Sequence, residues 1–337
     1  MVTELLSRKD QQSARDLIES HGLAYEARFD TLYGIFAEGE LVATAARDGN
    51  ILKMVAIRAE FQNGPLLGEL VGEILRIGFL AGQENFFVFT APKTAPSFQA
   101  LNFVPLVRHP RVTLLEYGLG LARYLEKHRD LVRPGKNGAV VVNCNPFTLG
   151  HRYLIEQAAA QVETLYVFVA REDRSVFPFD VRLRLVREGV RDLANVVVLE
   201  SSQYAISDVT FPAYFLKSED EPQTIQMEVD LTLFGRHLAP YFRIGRRFVG
   251  NEPYCRTTRL YNQAMLRTLP PLGVEPVQIE RQLLGDEAIS AFRVREAIRR
   301  DAFETVRRLV PATTLDYILS DAAGPLRQSM KTHTRRH

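Results

Sequence analysis

The spacing of hydrophobic and polar positions changes once along this chain. Up to about residue 110 the pattern is mixed. Residues 10–21 carry apolar positions at helical spacing, 33–45 and 51–57 read as the arms of a hairpin, and 64–81 return to a helical period. A buried strand at 86–90 and a helix leading to Asn102-Phe103 follow. Strands and helices in that order predict one compact α+β unit. Beyond residue 136 the order becomes regular. Strands are predicted at 139–143, 165–170, 196–200, 225–229, 248–250 and 277–279, with helices from Thr148 and after Asp180. Alternation of this kind predicts a parallel sheet with right-handed crossovers. Between the two patterns lies the charged stretch 123–136, closed by Pro134-Gly135, a pair that punctuates chains. The expected division is therefore a domain over 1–122, a linker over 123–136, an α/β domain over 137–325 and a basic tail over 326–337.

Composition narrows the classes. A length of 337 residues exceeds one ordinary core, in line with two domains. Hydrophobic residues at 46% and charged residues at 24% describe a globular chain able to bury sizeable cores. The formal net charge of +2 gives no support to nucleic-acid binding, since the basic cluster Lys331-Thr-His-Thr-Arg-Arg-His337 reads as a frayed terminus. Two cysteines, Cys144 and Cys255, exclude a disulfide framework and a Cys-rich zinc site, and fit a reducing cytoplasm. The first ten residues lack the apolar core of a signal peptide, and no stretch reaches the roughly 18 apolar residues of a membrane span.

The chemistry concentrates where the first strand of the α/β domain meets its helix, in Val141-Val-Asn-Cys-Asn-Pro-Phe-Thr-Leu-Gly-His-Arg152. In an open parallel sheet, ligands bind beyond the carboxyl ends of the strands, where the next helix presents free N–H groups and the positive end of its dipole. Asn143 and Asn145 can hydrogen-bond in the turn, Pro146 fixes it, Thr148 can cap the helix, and Gly150 lets backbone approach a ligand closely. His151 shares a helix face with Thr148. Taken singly, Thr148 is a plain cap and His151 a structural histidine. Together they resemble the T/H-x-G-H signature of the nucleotidylyltransferase superfamily. A second signature of that superfamily opens a late helix, and Ile289-Ser-Ala-Phe-Arg-Val-Arg295 resembles it. Ser290 at a helix start offers a hydroxyl and N–H groups to phosphate, and Arg293 can neutralise a triphosphate.

The chain as a whole resembles the citrate lyase ligase family, whose members join an N-terminal acetyltransferase (GNAT)-like domain to a C-terminal nucleotidylyltransferase domain. The stretches that carry the likeness are 143–153, Glu172-Asp-Arg-Ser-Val-Phe-Pro-Phe179 with Arg182, Ala205-Ile-Ser-Asp-Val-Thr-Phe-Pro-Ala-Tyr-Phe-Leu216, Phe248-Val-Gly-Asn-Glu-Pro253 with Arg259-Leu-Tyr-Asn262, and 289–295. The resemblance implies that ATP and acetate form acetyl-adenylate and pyrophosphate. The acetyl group then passes to the thiol of a CoA-like prosthetic group on the acyl-carrier subunit of citrate lyase. His151, Thr148 and Arg293 are then catalytic. Asn143, Asn145, Pro146, Phe147, Gly150, Arg182, Gly250, Glu252, Ile289, Ser290 and Arg295 bind ATP, and Mg²⁺ rides on the departing pyrophosphate without dedicated protein ligands. Arg182 is either a phosphate contact or part of a solvated helix face. Asn251 and Glu252 are either adenine contacts or a simple turn. Cys144 fills space in the loop, and its position beside the site leaves sensitivity to thiol reagents open.

Two departures from the family patterns matter. Phe292 replaces a small hydroxyl residue, leaving the second motif its backbone and Arg293. In the first domain, Gln62-Asn-Gly-Pro-Leu-Leu67 places Pro65 and Leu67 where an acetyltransferase turn offers N–H groups to CoA, so tight binding of free CoA is not expected there. The reading is a two-domain ligase. Its rivals are an adenylyltransferase for a phosphopantetheine-like or nucleotide substrate, and a non-catalytic ATP-binding regulator of an acyl-carrier protein.

Overall fold

A computed structural model describes residues 1–62, 64–171, 175–204, 222–251, 256–285 and 287–332. Of these, 1–126 with 222–229 form one compact unit, and 127–204 with 230–332 form the other.

The first unit contains β1 (Val2–Glu4), α1 (Arg8–Ser20), β2 (Thr31–Ala37), β3 (Glu40–Asp48), β4 (Ile51–Ile57), α2 (Leu66–Leu80), β5 (Asn85–Thr90), α3 (Ala95–Gln99), β6 (Val104–Arg108), β7 (Thr113–Gly118) and most of α4 (Gly120–Lys127). Its sheet runs β1-β2-β3-β4-β5-β7-β6. All neighbours are antiparallel except β4 and β5, which meet only at Ile51↔Phe87 and Leu52↔Val88. The run at 33–45 is not one hairpin arm but two strands, because Glu38 and Gly39 adopt φ 52° and 84° and turn the chain between them. Helices cover both faces: Ala14, Leu17 and Ile18 pack with Leu32, Leu41 and Met54, while Leu70, Val71 and Ile74 pack with Ile35, Val42 and Leu52. Pro65 stands at the N-cap of α2 with no side-chain cap.

The second unit contains β8 (Asn137–Val142), α5 (Leu149–Ala159), β9 (Thr164–Val169), α6 (Phe179–Gly189), β10 (Val196–Glu200), the later part of α7 (Pro222–Leu233), a π-helical turn (Phe234–Leu238), α8 (Ala239–Tyr241), β11 (Ile244–Gly250), α9 (Arg256–Thr268), β12 (Glu275–Ile279), the short pair β13 (Leu283–Leu284) and β14 (Glu287–Ala288), α10 (Ala291–Arg299), α11 (Phe303–Leu309), α12 (Ala312–Leu319) and α13 (Gly324–Thr332). Five strands form an all-parallel sheet in the order β10-β9-β8-β11-β12. The expected α/β class therefore holds. Val140, Val142, Leu165 and Val167 pack on Ile155, Ala158, Leu185 and Val186. On the other face the rings of Tyr166 and Phe168 meet Phe242, and Phe168 also meets Phe234. α10 to α13 build a satellite core with Phe177 and Ile289.

One expectation fails. The strand at 225–229 is instead part of α7. Apolar residues alternate there, yet Gln226 and Asp230 between them are buried as well, and a segment buried all round has no diagnostic period. Within the linker stretch, α4 runs through the start and a 3₁₀ turn spans Arg129–Leu131, and the two compact units part between residues 126 and 127. At the other end, α13 buries Met330, the Met330 carbonyl accepts from Arg299 Nε at 3.0 Å, and Lys331 pairs with Asp301 at 2.6 Å, while residues 333–337 of the basic cluster lie outside the described residues. Among the described residues no helix is long and apolar enough to cross a membrane.

Gly189 ends α6 where a Cβ would overlap the fully buried Phe147 ring. Gly189→Ala should lower stability of the second unit by about 1–3 kcal/mol of overpacking, offset by roughly 1 kcal/mol of helix propensity, read as a lower urea midpoint with unchanged slope.

Candidate active site

The turn after β8 is anchored from beneath. Cys144 adopts φ 52°, a left-handed conformation uncommon for a residue with a Cβ, and the Asn145–Pro146 peptide is cis. Asn145 Oδ1 accepts the Phe177 N–H at 2.9 Å. Arg182, on α6, is fully buried. Its Nη1 donates to the carbonyl and to Oδ1 of Asn143, both at 2.7 Å, and to the Ala170 carbonyl at 2.8 Å; its Nε donates to the Phe177 carbonyl at 3.0 Å. A solvated helix face is thus excluded for Arg182. Buried charge is tolerated when hydrogen bonds saturate it, and here saturation ties the ends of β8 and β9 to the loop before α6. Arg295, reaching from α10, donates to the Asn145 carbonyl. Burial, and then the nearby Arg299, hold its pKa below the ordinary arginine value.

Cys144 and Phe147 point inward and are at most 1% exposed. Burial pushes the Cys144 thiol well above its usual pKa, which favours the space-filling reading over the reactivity to thiol reagents that its position left open. Phe147 lies under the imidazole of His151, ring centroids 6.1 Å apart and 15° from parallel. Pro146 is buried, whereas Asn143 is exposed.

Thr148 and His151 form a reciprocal cap. Thr148 Oγ1 accepts the His151 N–H at 3.2 Å, and the Thr148 N–H donates to His151 Nδ1 at 3.1 Å. An imidazole nitrogen that accepts from an amide carries no proton, so the neutral ring holds its hydrogen on Nε2. Burial, reinforced by the charge of Arg281, pushes the His151 pKa down to about 4. His151 is therefore a neutral Nε2–H donor at the positive end of α5.

Gly150 brings the two signatures together. A Cβ there would stand 2.8 Å from the Ile289 carbonyl oxygen and 3.4 Å from its Cβ. The close approach expected for a ligand is made by the protein's own second motif. Ile289 is held in turn by its N–H on the Gln282 carbonyl at 3.1 Å. Ser290 caps α10 by accepting the Arg293 N–H at 3.3 Å. The Arg293 guanidinium pairs with Glu287 at 2.8 Å and donates to the Ala288 carbonyl at 3.2 Å. Phe292 is 42% exposed.

At the third edge, Asn251 closes the ends of β11 and β12. Its N–H donates to the Ile279 carbonyl at 2.9 Å, its Nδ2 to Glu280, and its Oδ1 accepts the Arg281 N–H at 3.0 Å. Between the two sequence alternatives, Asn251 serves the turn. A Cβ on Gly250 would stand 3.8 Å from the Arg281 side chain, and the Gly250 carbonyl accepts from Asn262 Nδ2 at 3.0 Å. Glu252 lies outside the described residues, as do 172–174 and 205–216. Arg281 was missed by motif reading. Its Nε donates to the Asn251 carbonyl at 2.6 Å, and it adds positive charge beside His151. The signal that could have found it is its place just past the carboxyl end of a parallel strand.

A family model for the citrate lyase ligase C-terminal domain matches residues 137–318, more than half of the chain. The citrate (pro-3S)-lyase ligase of Klebsiella pneumoniae is 38% identical over 326 residues, covering 94% of this chain and 95% of that protein. A phosphopantetheine adenylyltransferase from Streptococcus gordonii is 33% identical over 109 residues, 31% of this chain and 66% of that one. Among solved structures, FeeM, an N-acyl amino acid synthase from uncultured soil microbes, aligns at TM-score 0.31 with 12% identity over 36% of this chain and 91% of its own. On the family model and the nearly end-to-end relative, the chain belongs to the citrate lyase ligase family.

Proposed function

We propose that this protein is the AMP-forming ligase that acetylates the prosthetic-group thiol of the citrate lyase acyl-carrier subunit. An acetate oxygen attacks the α-phosphorus of ATP, the bond to the bridging oxygen breaks, and pyrophosphate leaves with that electron pair. In the second step the thiol, having lost its proton to solvent, attacks the acetyl carbon, and AMP departs with the electrons of the broken C–O bond. Neither step needs a protein nucleophile. Positioning and charge stabilisation carry the rate.

The observation that carries this reading is the contact of the two signatures at Gly150 and Ile289, which sets two helix N-termini and a neutral imidazole donor side by side at the end of β8. His151 Nε2–H is suited to an oxygen on the α-phosphate, while Arg293 exchanges Glu287 for phosphate oxygens. Among the described residues no group of three His, Cys, Asp or Glu side chains is placed to hold a metal. Mg²⁺ would be held by phosphate oxygens and water and would supply neutralisation of charge on the leaving pyrophosphate. The adenylyltransferase relative supports nucleotidyl transfer and keeps a phosphopantetheine-like acceptor as the second reading.

Exchange of labelled pyrophosphate into ATP, measured acid by acid, separates the two: acetate should drive it, and net turnover should yield AMP. Exchange driven by a phosphopantetheine compound and not by acetate would favour the second reading, and ADP as product would overturn both. His151→Ala should slow acetate-dependent exchange about 10²- to 10³-fold, the scale of one lost donor to a developing oxyanion. Because Nδ1 also accepts the Thr148 N–H, it should cost about 1 kcal/mol of stability as well, and His151→Asn should recover part of that. The folded pKa of about 4 lies below the free value, so the neutral ring's contribution to stability is whole above pH 6.5 and is lost as pH falls from 6.5 towards 4. Wild type should lose stability relative to His151→Asn across that window, and the exchange rate should show no acid limb near pH 6.5. Gly150→Ala, forcing a methyl against a backbone carbonyl, should raise the KM for ATP and lower exchange at least about tenfold, since displacement of a catalytic contact by a fraction of an ångström is felt strongly.

A further inference from the structure

The sheet face opposite α5 and α6 holds a buried cation that belongs to neither signature. Arg247, on β11, is 3% exposed. It pairs in register with Ala139, so its side chain shares a face with Val141, two residues along β8. Its guanidinium lies over the Phe234 ring, 4.4 Å from the centroid, and 5.5 Å from that of Tyr261. Nη2 donates to the Tyr261 hydroxyl at 2.7 Å, and that hydroxyl donates to the Asp230 carboxylate. This relay holds the guanidinium in one orientation. Nη1, by contrast, is buried with no hydrogen-bond partner among the described residues.

Arg247 borders a narrow cavity walled by Val141, Phe168, Phe234 and Leu238, with Asp230 at its side. Phe234 and Leu238 are the ends of the π-helical turn, a local widening that is frequent at functional sites. An unpartnered guanidinium N–H inside protein is costly unless a ligand or water completes it. A guanidinium only donates, so the group wanted at Nη1 is an acceptor, best a charged one. The walls want a short alkyl group. Val141 and Phe168 are the last residues but one of β8 and β9, just before the chain reaches Asn143 and Ala170, so the cavity borders the same strand ends as the turn that carries Thr148 and His151.

We propose that this cavity holds the short carboxylic acid, one carboxylate oxygen on Arg247 Nη1 and the alkyl group against Val141 and Phe168, making Arg247 the residue that recognises the acid. One contact to one oxygen leaves the other free to attack phosphorus. This rests on the ligase reading, whose co-substrate is a short acid.

The test measures acetate binding to the full chain without ATP, by ligand-observed NMR with ¹³C-acetate, alongside acid-dependent pyrophosphate exchange. Arg247→Gln should raise the KM for acetate roughly ten- to hundredfold, the worth of a lost charge-assisted contact, and leave the KM for ATP unchanged. Arg247→Lys should recover part of the loss. Val141→Ile should spare acetate and exclude propionate and butyrate. If Arg247→Gln melts early, the lysine variant and Val141→Ile decide. An unaltered acetate KM in the lysine variant, with unaltered chain-length preference in Val141→Ile, would leave the cavity a water site and overturn the proposal. Acetate binding that depends on Arg247 without any exchange would overturn the ligase reading and keep the site. Neither binding nor exchange would overturn both.

Discussion

The first turn of α5 lies against the carbonyl of Ile289, and that contact tolerates no side chain at residue 150. Much of the second unit is arranged to keep it. Arg182 binds the carbonyls from which the turn departs, Arg295 reaches across from α10 to the Asn145 carbonyl, and the Gln282 carbonyl fixes Ile289 from the other side. Two helix starts separated by a long stretch of sequence are thereby brought to one place, with aligned N–H groups and dipoles. A backbone-to-backbone approach of this kind is rigid in a way that contacts through long side chains are not.

The arginines divide by what they hold. Arg182 gives its hydrogen bonds to three main-chain carbonyls and to the Asn143 side chain and serves as an internal brace, although its position in the motif suggested a contact with ATP. Arg293 is paired with an exposed carboxylate, a partner that is cheap to exchange because surface ion pairs contribute little. Arg281 influences His151 through charge and the strand ends through hydrogen bonds. Thus cations near the site differ in mobility: one is locked, one is exchangeable, and one biases the imidazole towards neutrality.

The parallel sheet and its first helix were legible because apolar runs and capping residues act locally: Thr148 and Ser290 are the caps their positions suggested. The partner of Gly150 was not legible, since a glycine reports that something comes close and not what. Arg182 was ambiguous for a related reason: sequence records a charge on a helix, while burial depends on loops folded over it. The 225–229 segment misled by alternating like a strand inside a helix whose intervening Gln226 and Asp230 are buried as well. Arg247 and Arg281 belong to no motif, and only the packing of neighbouring strands reveals what surrounds them.

The end of the chain bears on the site from a distance. α13 lies along α10, with Met330 in the shared core and its carbonyl bound by Arg299, one helical turn beyond Arg295. Residues that read as a loose basic tail thus act as a strut behind the helix that presents Ser290 and Arg293. The stiffness of that helix, and so the accuracy with which its first turn meets a bound anion, is set in part by the last described turn of the polypeptide.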